Sequence, residues 1–326
     1  MKKVIGLGNA LVDVLTQLND DKVLSELKLP KGSMQLVERE NIQKVLEATS
    51  AFPRRQASGG SAANTIHGLA GLGIETAFVG KVGRDEWGGF FRSDLEKRNI
   101  KPLLLEGKQE SGRAFALISP DAERTFATYL GAAIELEPQD VSAHLFEDYH
   151  ILHIEGYLVQ NRPLIRHALE LAKNKGLQVS LDLASFNVVE ENLDFLHEMV
   201  RDYVDILFAN EEEAKAFTGL KDGAALRRLS EFCDLAVLKL GSRGSVIKYH
   251  DHVVEVAASQ VVSRDTTGAG DLYASGFLFG FIHGLPIEKC GEIASLLAGK
   301  VIEVIGPKID DEVWEEINRQ VMRYVN

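Results

Sequence analysis

Short apolar segments of strand length alternate along this chain with longer segments of helical periodicity. The strand-like segments are KVIGLG, TAFVGKVG, HILHIEGY, QVSLDLA, DILFANE and LAVLKLGS. Amphipathic helical patterns lie between them, at residues 62–73, 86–98, 163–175, 190–202 and 211–217. Strands this apolar are covered on both faces, which predicts a doubly wound α/β fold with a mostly parallel sheet and helices on both sides. Because ligands of such sheets bind beyond the carboxyl ends of the strands, the functional residues are expected there.

Two segments depart from this alternation and repeat with period two instead. Residues 11–20 and residues 112–130, around the turn SPDAE, alternate apolar and polar side chains. This pattern predicts antiparallel strands and a hairpin that are half exposed. We expect a small sheet, formed by about residues 11–20 and 103–130 and inserted in one domain that spans residues 1–326. The alternative is an edge hairpin of the main sheet.

The end of the chain is helical in pattern. Two apolar helices are predicted within residues 269–304, joined at HGLPIEK, and an amphipathic helix over residues 310–325. The longest apolar run, from Leu272 to Ile282, is shorter than the roughly 20 residues that a bilayer requires. The first residues, MKKVIGLGNALVDV, are typical of a strand and not of a signal peptide. A cytoplasmic protein is therefore expected.

Charge and cysteine content exclude several classes of function. The formal net charge of −12 disfavours nucleic acid and anionic membranes as partners, since both are polyanions. Two cysteines, without a CxxC pair, predict neither a disulfide framework nor a cysteine metal site.

The segment RDTTGAGD, residues 264–271, precedes the first of the apolar C-terminal helices. Its glycines let the backbone approach a ligand, and the unpaired N–H groups at a helix start form an anion site. Asp271 is either a favourable first-turn carboxylate, worth about 0.3–1 kcal/mol, or a general base. We expect Thr266 or Thr267 to cap the helix, which leaves Asp271 to accept a hydroxyl proton in phosphoryl transfer.

A second glycine-rich turn, SGGSAANT at residues 58–65, also opens a helical pattern. Gly59 and Gly60 would bring backbone N–H groups to a ligand, and Asn64 offers both a donor and an acceptor. Asp13, just past the first strand, would reach the same cleft and could bond two neighbouring hydroxyls of a sugar. A plain tight turn explains the same glycines.

Two further strand ends carry candidate residues. In DILFANEEEA, Asn210 and Glu213 would organise a hydrated Mg²⁺, which takes few protein ligands. A helix cap with acidic first-turn residues explains the same motif and, for these residues alone, is slightly favoured. In LKLGSRGS, Gly241 and Gly244 either pass beneath a nucleotide phosphate or form a hairpin turn.

Two familiar nucleotide motifs are missing. There is no Gly-Lys-Ser/Thr, so DTTGAGD is not a P-loop. The first strand lacks the third glycine of the dinucleotide fingerprint, because Leu11 stands there, which disfavours a nicotinamide dehydrogenase.

The motifs GGSAAN, NEEE and DTTGAGD occur together in an order and spacing that resembles the ribokinase family, also called the PfkB carbohydrate kinases. The resemblance extends over essentially the whole chain. It implies Mg²⁺-assisted transfer of a phosphoryl group from ATP to a hydroxymethyl group of a sugar or nucleoside. It also implies a doubly wound α/β domain with a small β-sheet lid.

The resemblance assigns roles by position in the motifs. Asp271 would be the catalytic base, and the anion-hole N–H groups would come from Gly268, Ala269 and Gly270. The acceptor would be held by Asp13, Gly59, Gly60 and Asn64. The residues around ATP would be Asn210, Glu213, Gly241, Gly244 and Thr267, with Glu213 meeting Mg²⁺ through water. Asp265, with Thr267, falls where some members bind a monovalent cation such as K⁺.

The start GNALVD, the long stretch between Asp13 and Gly59, and SLDLASFNVVE look like the adenosine kinase branch of the family. A nucleoside acceptor, adenosine first, is therefore expected, with ribose, fructose or a related sugar as the alternative. The base would need an aromatic or apolar slot. The candidates for it, which would otherwise pack under the lid, are Phe115, Phe126, Tyr129 and Phe186.

Other possibilities remain open at this point. A phosphosugar acceptor would bring its phosphate to Arg113 or Arg124. A catalytically silent ligand sensor on the same fold is disfavoured by the intact Asp271 and its glycines, since a sensor needs no base. The exposed face of the lid sheet would allow a homodimer formed through the lid, whereas the resemblance to adenosine kinases implies a monomer.

Overall fold

Two β-sheets and the helices around them organise the chain in the computed structural model, which describes residues 2–121 and 123–325. The strands are β1 (Val4–Leu7), β2 (Leu11–Gln17), β3 (Met34–Leu36), β4 (Arg54–Gly59), β5 (Thr76–Val82), β6 (Ile100–Glu106), β7 (Gly112–Ile118), β8 (Arg124–Tyr129), β9 (Ile151–Glu155), β10 (Gln178–Asp182), β11 (Ile206–Asn210), β12 (Leu235–Lys239), β13 (Ser245–Tyr249) and β14 (His252–Val256). The α-helices are α1 (Lys22–Glu26), α2 (Arg39–Ala48), α3 (Ser61–Gly71), α4 (Glu86–Lys97), α5 (Arg162–Asn174), α6 (Phe186–Glu191), α7 (Leu193–Tyr203), α8 (Glu211–Thr218), α9 (Asp222–Leu229), α10 (Ala269–Ile282), α11 (Ile287–Ile302) and α12 (Asp311–Val325).

The large sheet has nine strands in the order β14-β13-β12-β11-β10-β9-β1-β5-β6. From β12 to β6 all neighbours are parallel, whereas β13 and β14 continue the sheet as an antiparallel hairpin. Both faces are apolar: Ile206 and Phe208 belong to one core cluster, and Leu207 and Ala209 to the other. The predicted doubly wound α/β fold is confirmed, because helices cover both of these faces.

The small sheet has five strands in the order β3-β8-β7-β2-β4. The predicted hairpin is present, since β7 and β8 pair in antiparallel fashion; Ala122, in its predicted turn, lies outside the described residues.

Three features of the small sheet differ from the prediction. Strand β2 runs parallel to β7, not antiparallel. The sheet also includes β3 and β4, from the long stretch between the first strand and the glycine pair. Residues 103–106, predicted in the small sheet, end β6 of the large sheet instead. Their run Leu103–Leu105 is apolar without alternation, which suits a strand packed in the large sheet better than a half-exposed one.

The chain reverses direction across the large sheet at β1, which lies between β9 and β5. A crevice opens beyond the strand ends at such a reversal. Helices α3 and α10 pack against each other beside it, and Ser275 on α10 donates a 2.9 Å hydrogen bond to the backbone carbonyl of Thr65 on α3. No described helix combines the length and hydropathy that a membrane span requires.

Candidate active site

A cleft of about 1240 Å³ lies between the small sheet and the carboxyl ends of the large-sheet strands. Most of the residues singled out from the sequence converge on it. Those in its lining are Asp13, Gly60, Asn64, Asn210, Glu213, Thr267, Gly270 and Asp271. They come from four regions of the chain that the fold brings to one edge.

The Asp271 carboxylate is held in place by the start of helix α3. Ser61 donates from its hydroxyl to Asp271 Oδ1 at 2.7 Å, and Asn64 donates from Nδ2 to Asp271 Oδ2 at 2.9 Å. Burial raises the pKa of this carboxyl to about 6, against the two hydrogen bonds that lower it, and the nearby Asp182 raises it further. A carboxylate with a pKa near neutrality, open to a cleft, suits a general base.

Helix α10 begins at Ala269, with Gly268 as its N-cap in the left-handed conformation, φ 77°. The expectation that Thr266 or Thr267 caps this helix is wrong, because Gly268 is the N-cap and neither threonine side chain bonds to the helix start. Position 268 requires glycine for two reasons. Glycine tolerates the positive φ, and the β-carbon of any other residue would lie only 2.8 Å from Pro307, which is too close.

The first N–H groups of α10 are only partly satisfied. Ala269 N donates to the Thr266 carbonyl at 3.2 Å. Within the part of the chain that the structure describes, Gly268 N and Gly270 N make no backbone hydrogen bond. Two N–H groups at the positive end of a fourteen-residue helix can therefore bind an anion beside Asp271.

Asp13 and Gly59 meet at the other end of the cleft. Leu11 of β2 pairs with Gly59 of β4, and a β-carbon on Gly59 would lie 2.2 Å from the Asp13 carboxyl carbon. Burial raises the pKa of Asp13, and Asp271 adds to the rise while Lys308 opposes it. Only glycine at 59 leaves room for this carboxylate.

Glu155 is a buried member of the site that the sequence reasoning missed. It ends β9 and is 1% exposed. It accepts hydrogen bonds from Asn9 N at 2.9 Å, Asn9 Nδ2 at 2.7 Å and Ala62 N at 2.9 Å. Burial raises its pKa to about 7 despite these bonds. Glu155 thus ties the end of β1 to the start of α3 and fixes where Ser61 and Asn64 stand.

Asp182 and Lys239, which were also missed, form an ion pair of 2.6 Å in the lining of the cleft. Burial opposes the charge of Lys239, but Asp182 and Glu213 outweigh it and raise its pKa. A β-carbon on Gly270 would lie 3.1 Å from Lys239 Nζ, so this ammonium borders the anion site.

Asn210 and Glu213 form a capping box at the start of α8. Asn210 Oδ1 accepts from Glu213 N at 2.9 Å, and Glu213 Oε2 accepts from Asn210 N at 2.9 Å. The helix cap that was the alternative interpretation of this motif is therefore formed. Both residues also line the cleft, and burial together with Asp182 raises the pKa of Glu213, although Lys239 lowers it.

The described residues include no group of three or more His, Cys, Asp or Glu side chains able to hold a metal ion. Mg²⁺ in phosphoryl-transfer sites takes one or two carboxylates, waters and substrate phosphates. Glu213 and Asp182 are two such carboxylates, buried and mutually repelling at the cleft. This donor set fits Mg²⁺.

Asp265 is fully engaged by protein groups. Arg124 of β8 pairs with Asp265 Oδ1, Thr267 N donates to the same oxygen at 2.6 Å, and Gly306 N donates to Oδ2 at 2.5 Å. Arg124 also donates to the Thr267 hydroxyl at 2.6 Å. The suggested monovalent-cation role of Asp265 stays a prediction, and in this arrangement Arg124 supplies the positive charge.

Gly241 and Gly244 bound a short 3-10 turn, Gly241–Arg243, between β12 and β13. They do not line the cleft, but the turn follows Lys239 directly. The hairpin reading is correct, and the proposed contact with nucleotide stays a prediction.

The four aromatic candidates divide into two pairs. Phe115 and Tyr129 are buried in the core. Phe126 and Phe186 line the cleft, and Met34 and Leu36 of β3 extend this apolar surface, with 51% and 56% of their areas exposed. Arg113 is buried and paired with Glu110 at 2.6 Å, so it does not face the cleft.

The missed residues differ in the signal they left in the sequence. Glu155, Asp182 and Lys239 each follow an apolar strand, in HILHIEGY, QVSLDLA and LAVLKLGS, where functional groups were expected. The apolar surface on Met34 and Leu36 lies in an irregular stretch with no periodic signal.

Comparison with known sequences identifies the family. The pattern of the pfkB family carbohydrate kinases matches residues 37–313. A nucleoside kinase of Methanocaldococcus jannaschii is 26% identical over 298 residues, which cover 87% of this chain and 93% of that protein.

Two solved structures are similar over nearly the whole length. A probable sugar kinase from Rhizobium etli has a TM-score of 0.89 at 32% identity, with 98% of each chain covered. An adenosine kinase from Sinorhizobium meliloti has a TM-score of 0.86 at 35% identity, with 99% of each chain covered.

Proposed function

Since the chain belongs to the pfkB family of carbohydrate kinases, which makes it a phosphotransferase, we propose that it transfers the γ-phosphoryl group of ATP to the hydroxymethyl group of a nucleoside, adenosine first. The observation that carries the proposal is the Asp271 carboxylate, held by Ser61 and Asn64 beside the start of α10. A base and an anion site stand together there, which phosphoryl transfer to an alcohol requires.

In the proposed reaction the acceptor hydroxyl gives its proton to Asp271 while its oxygen attacks the γ-phosphorus. The bond to the bridging oxygen of ATP breaks, and ADP leaves with that electron pair. The N–H groups of Gly268 and Gly270 stabilise the negative charge on the transferring phosphoryl group. Lys239, next to Gly270, adds positive charge at the same place.

Mg²⁺, when bound with ATP, would neutralise phosphate charge, and Glu213 with Asp182 would hold it, directly or through water. The small sheet would act as a lid that keeps bulk water out of the cleft and so limits ATP hydrolysis.

The cleft offers polar contacts suited to the ribose of a nucleoside and an apolar surface suited to its base. Asp13 accepts hydrogen bonds and would hold two neighbouring ribose hydroxyls. Met34, Leu36 and Phe126 form an apolar surface on the small sheet that would cover a planar base. The likeness to the adenosine kinase from Sinorhizobium meliloti supports the same acceptor.

A free sugar is the second candidate. It is favoured by the equally extensive likeness to the probable sugar kinase from Rhizobium etli. A sugar would use the Asp13 end of the cleft and leave the apolar surface uncovered.

The decisive assay measures ADP release from ATP with adenosine, other nucleosides, ribose and fructose as acceptors. We expect turnover with adenosine at a kcat/KM at least tenfold above that for either sugar. A preference for ribose or fructose would establish the second candidate, and no turnover with any acceptor would contradict the proposal.

The pH dependence of this activity follows from the raised pKa of Asp271. A base must be deprotonated, so activity should fall on the acid side of its pKa; kcat/KM reports the free enzyme, in which burial raises the pKa of Asp271 to about 6. Because burial also raises the pKa of Asp13, to about 7, kcat/KM for the acceptor should begin to fall near pH 7 and fall more steeply below pH 6. A kcat/KM that is constant from pH 5 to pH 8 would contradict a base of this kind.

Leu36→Ser separates the two acceptors. Leu36 is 56% exposed in the cleft, so its loss should leave folding intact while removing apolar contact with a base. Losing about 1.4 kcal/mol of burial lowers kcat/KM for adenosine about tenfold, with little change for ribose. Val262→Ser is the matched control, since Val262 is 80% exposed and lies outside the cleft. Equal losses for adenosine and ribose would show that Leu36 does not contact the base.

A further inference from the structure

Lys308 lies outside the cleft lining and is connected to the Asp271 carboxylate through the side chain of Asn64. It lies between α11 and α12 and does not line the cleft. Its Nζ donates to Asn64 Oδ1 at 3.1 Å, and Asn64 Nδ2 donates to Asp271 Oδ2 at 2.9 Å. An ammonium group can only donate, so it selects the amide orientation in which Asn64 turns its NH₂ towards Asp271.

The charges around Lys308 come from several elements. Asp13 of β2, Asp94 of α4 and Asp271 of α10 attract it, whereas Arg98, which follows α4, repels it. His67 of α3 is also near, and burial and Lys308 both lower the pKa of that histidine. Burial and Arg98 together lower the pKa of Lys308 against the three carboxylates. The ammonium therefore lies among three partly buried acids and in turn lowers the pKa of Asp13.

The segment that carries Lys308 is braced against residues 265–268, the loop that precedes helix α10. Gly306 N donates to Asp265 Oδ2 at 2.5 Å, and Pro307 packs where a β-carbon on Gly268 would stand. Lys308 is thus placed by the same loop that begins helix α10. These contacts thereby fix the position of the Asp271 carboxylate relative to the N–H groups of Gly268 and Gly270.

We propose that Lys308 is a positioning residue for phosphoryl transfer, which orients the amide of Asn64 towards Asp271. The inference rests on the proposed kinase function. Without the ammonium, either face of the Asn64 amide can turn to Asp271, and an amide oxygen facing a carboxylate repels it. Asp13 loses its positive neighbour at the same time.

The test compares Lys308→Met, Lys308→Arg and the control Lys300→Met in the ADP-release assay with adenosine. Lys300 is a lysine of α11 whose ion pairs with Glu303 and Glu316, 3.5 Å each, lie away from the cleft. We expect Lys308→Met to lower kcat 10- to 100-fold, because small displacements of a catalytic group cost about this much. The acid limb of its kcat/KM profile should move up by about one pH unit, because Asp271 loses the hydrogen bond from Asn64 that lowers its pKa.

Lys308→Arg distinguishes the effect of the positive charge at position 308 from the effect of the side chain's shape, and Lys300→Met is the control. Lys308→Arg keeps the charge, so its acid limb should stay near that of the parent chain while kcat falls. Lys300→Met should match the parent chain in both quantities. A Lys308→Met variant with kcat within twofold of the parent and an unmoved acid limb would overturn the inference.

A lowered kcat in Lys308→Met with an unmoved acid limb would assign Lys308 a role in packing only and would also overturn it. Failure of the kinase function itself is distinguishable, because the parent chain would then release no ADP with any acceptor.

Discussion

Asp271→Asn is expected to lower kcat by about 100- to 10,000-fold, the range that a positioned general base contributes. Asparagine keeps the size of the side chain, so the hydrogen bond from the Ser61 hydroxyl, 2.7 Å in the parent chain, can persist. What is lost is the group that takes the proton. Binding of ATP, measured by calorimetry, should be nearly unchanged.

The matched control for this variant is Asp251→Asn, the same chemical change at an exposed turn of the β13–β14 hairpin. It should retain full activity. Turnover of Asp271→Asn within threefold of the parent chain would rule out Asp271 as the base.

Gly59→Ala is expected to lower kcat/KM for the acceptor about 100-fold through loss of Asp13. The new β-carbon would lie 2.2 Å from the Asp13 carboxyl carbon, so the carboxylate has to leave its place. A hydrogen bond to a charged group contributes about 1.5–3 kcal/mol, and the larger value corresponds to a loss of about 100-fold. Because the clash falls on a side-chain end and not on backbone, the fold should survive.

Gly89→Ala is the control for this change, because Gly89 lies within α4 and a β-carbon there meets nothing within 4 Å. It should leave kcat/KM unchanged and, if anything, stabilise the helix. If Gly59→Ala binds and phosphorylates the acceptor as the parent chain does, Asp13 does not hold the acceptor.

The large sheet was predictable because its signal is local. The strands from β9 to β12 are short and mostly apolar, and the helices that flank them show a 3.6-residue periodicity. One departure is instructive: residues 190–202, predicted as a single helix, belong to α6 and α7, which Asn192 separates.

The small sheet was only partly predictable, because strand pairing joins residues that are far apart. The β7–β8 hairpin follows from adjacent segments and a turn. The parallel pairing of β2 with β7 joins Leu11 to Gly112, and nothing in either segment specifies that partner. Strand β3 has only three residues, too few to show a period.

The candidate site divides in the same way. By itself, the sequence determined the α/β fold, the glycine turns that open α3 and α10, and the carboxylate Asp271 at the second of them, since each is a matter of neighbouring residues. Only the tertiary structure decided that Gly59 makes room for Asp13, that Glu155 ties β1 to α3, and that Lys308 reaches Asp271 through Asn64. The physical reason is that these contacts join groups separated by 46 to 244 residues, and only packing of the sheets and helices brings such groups within hydrogen-bonding distance.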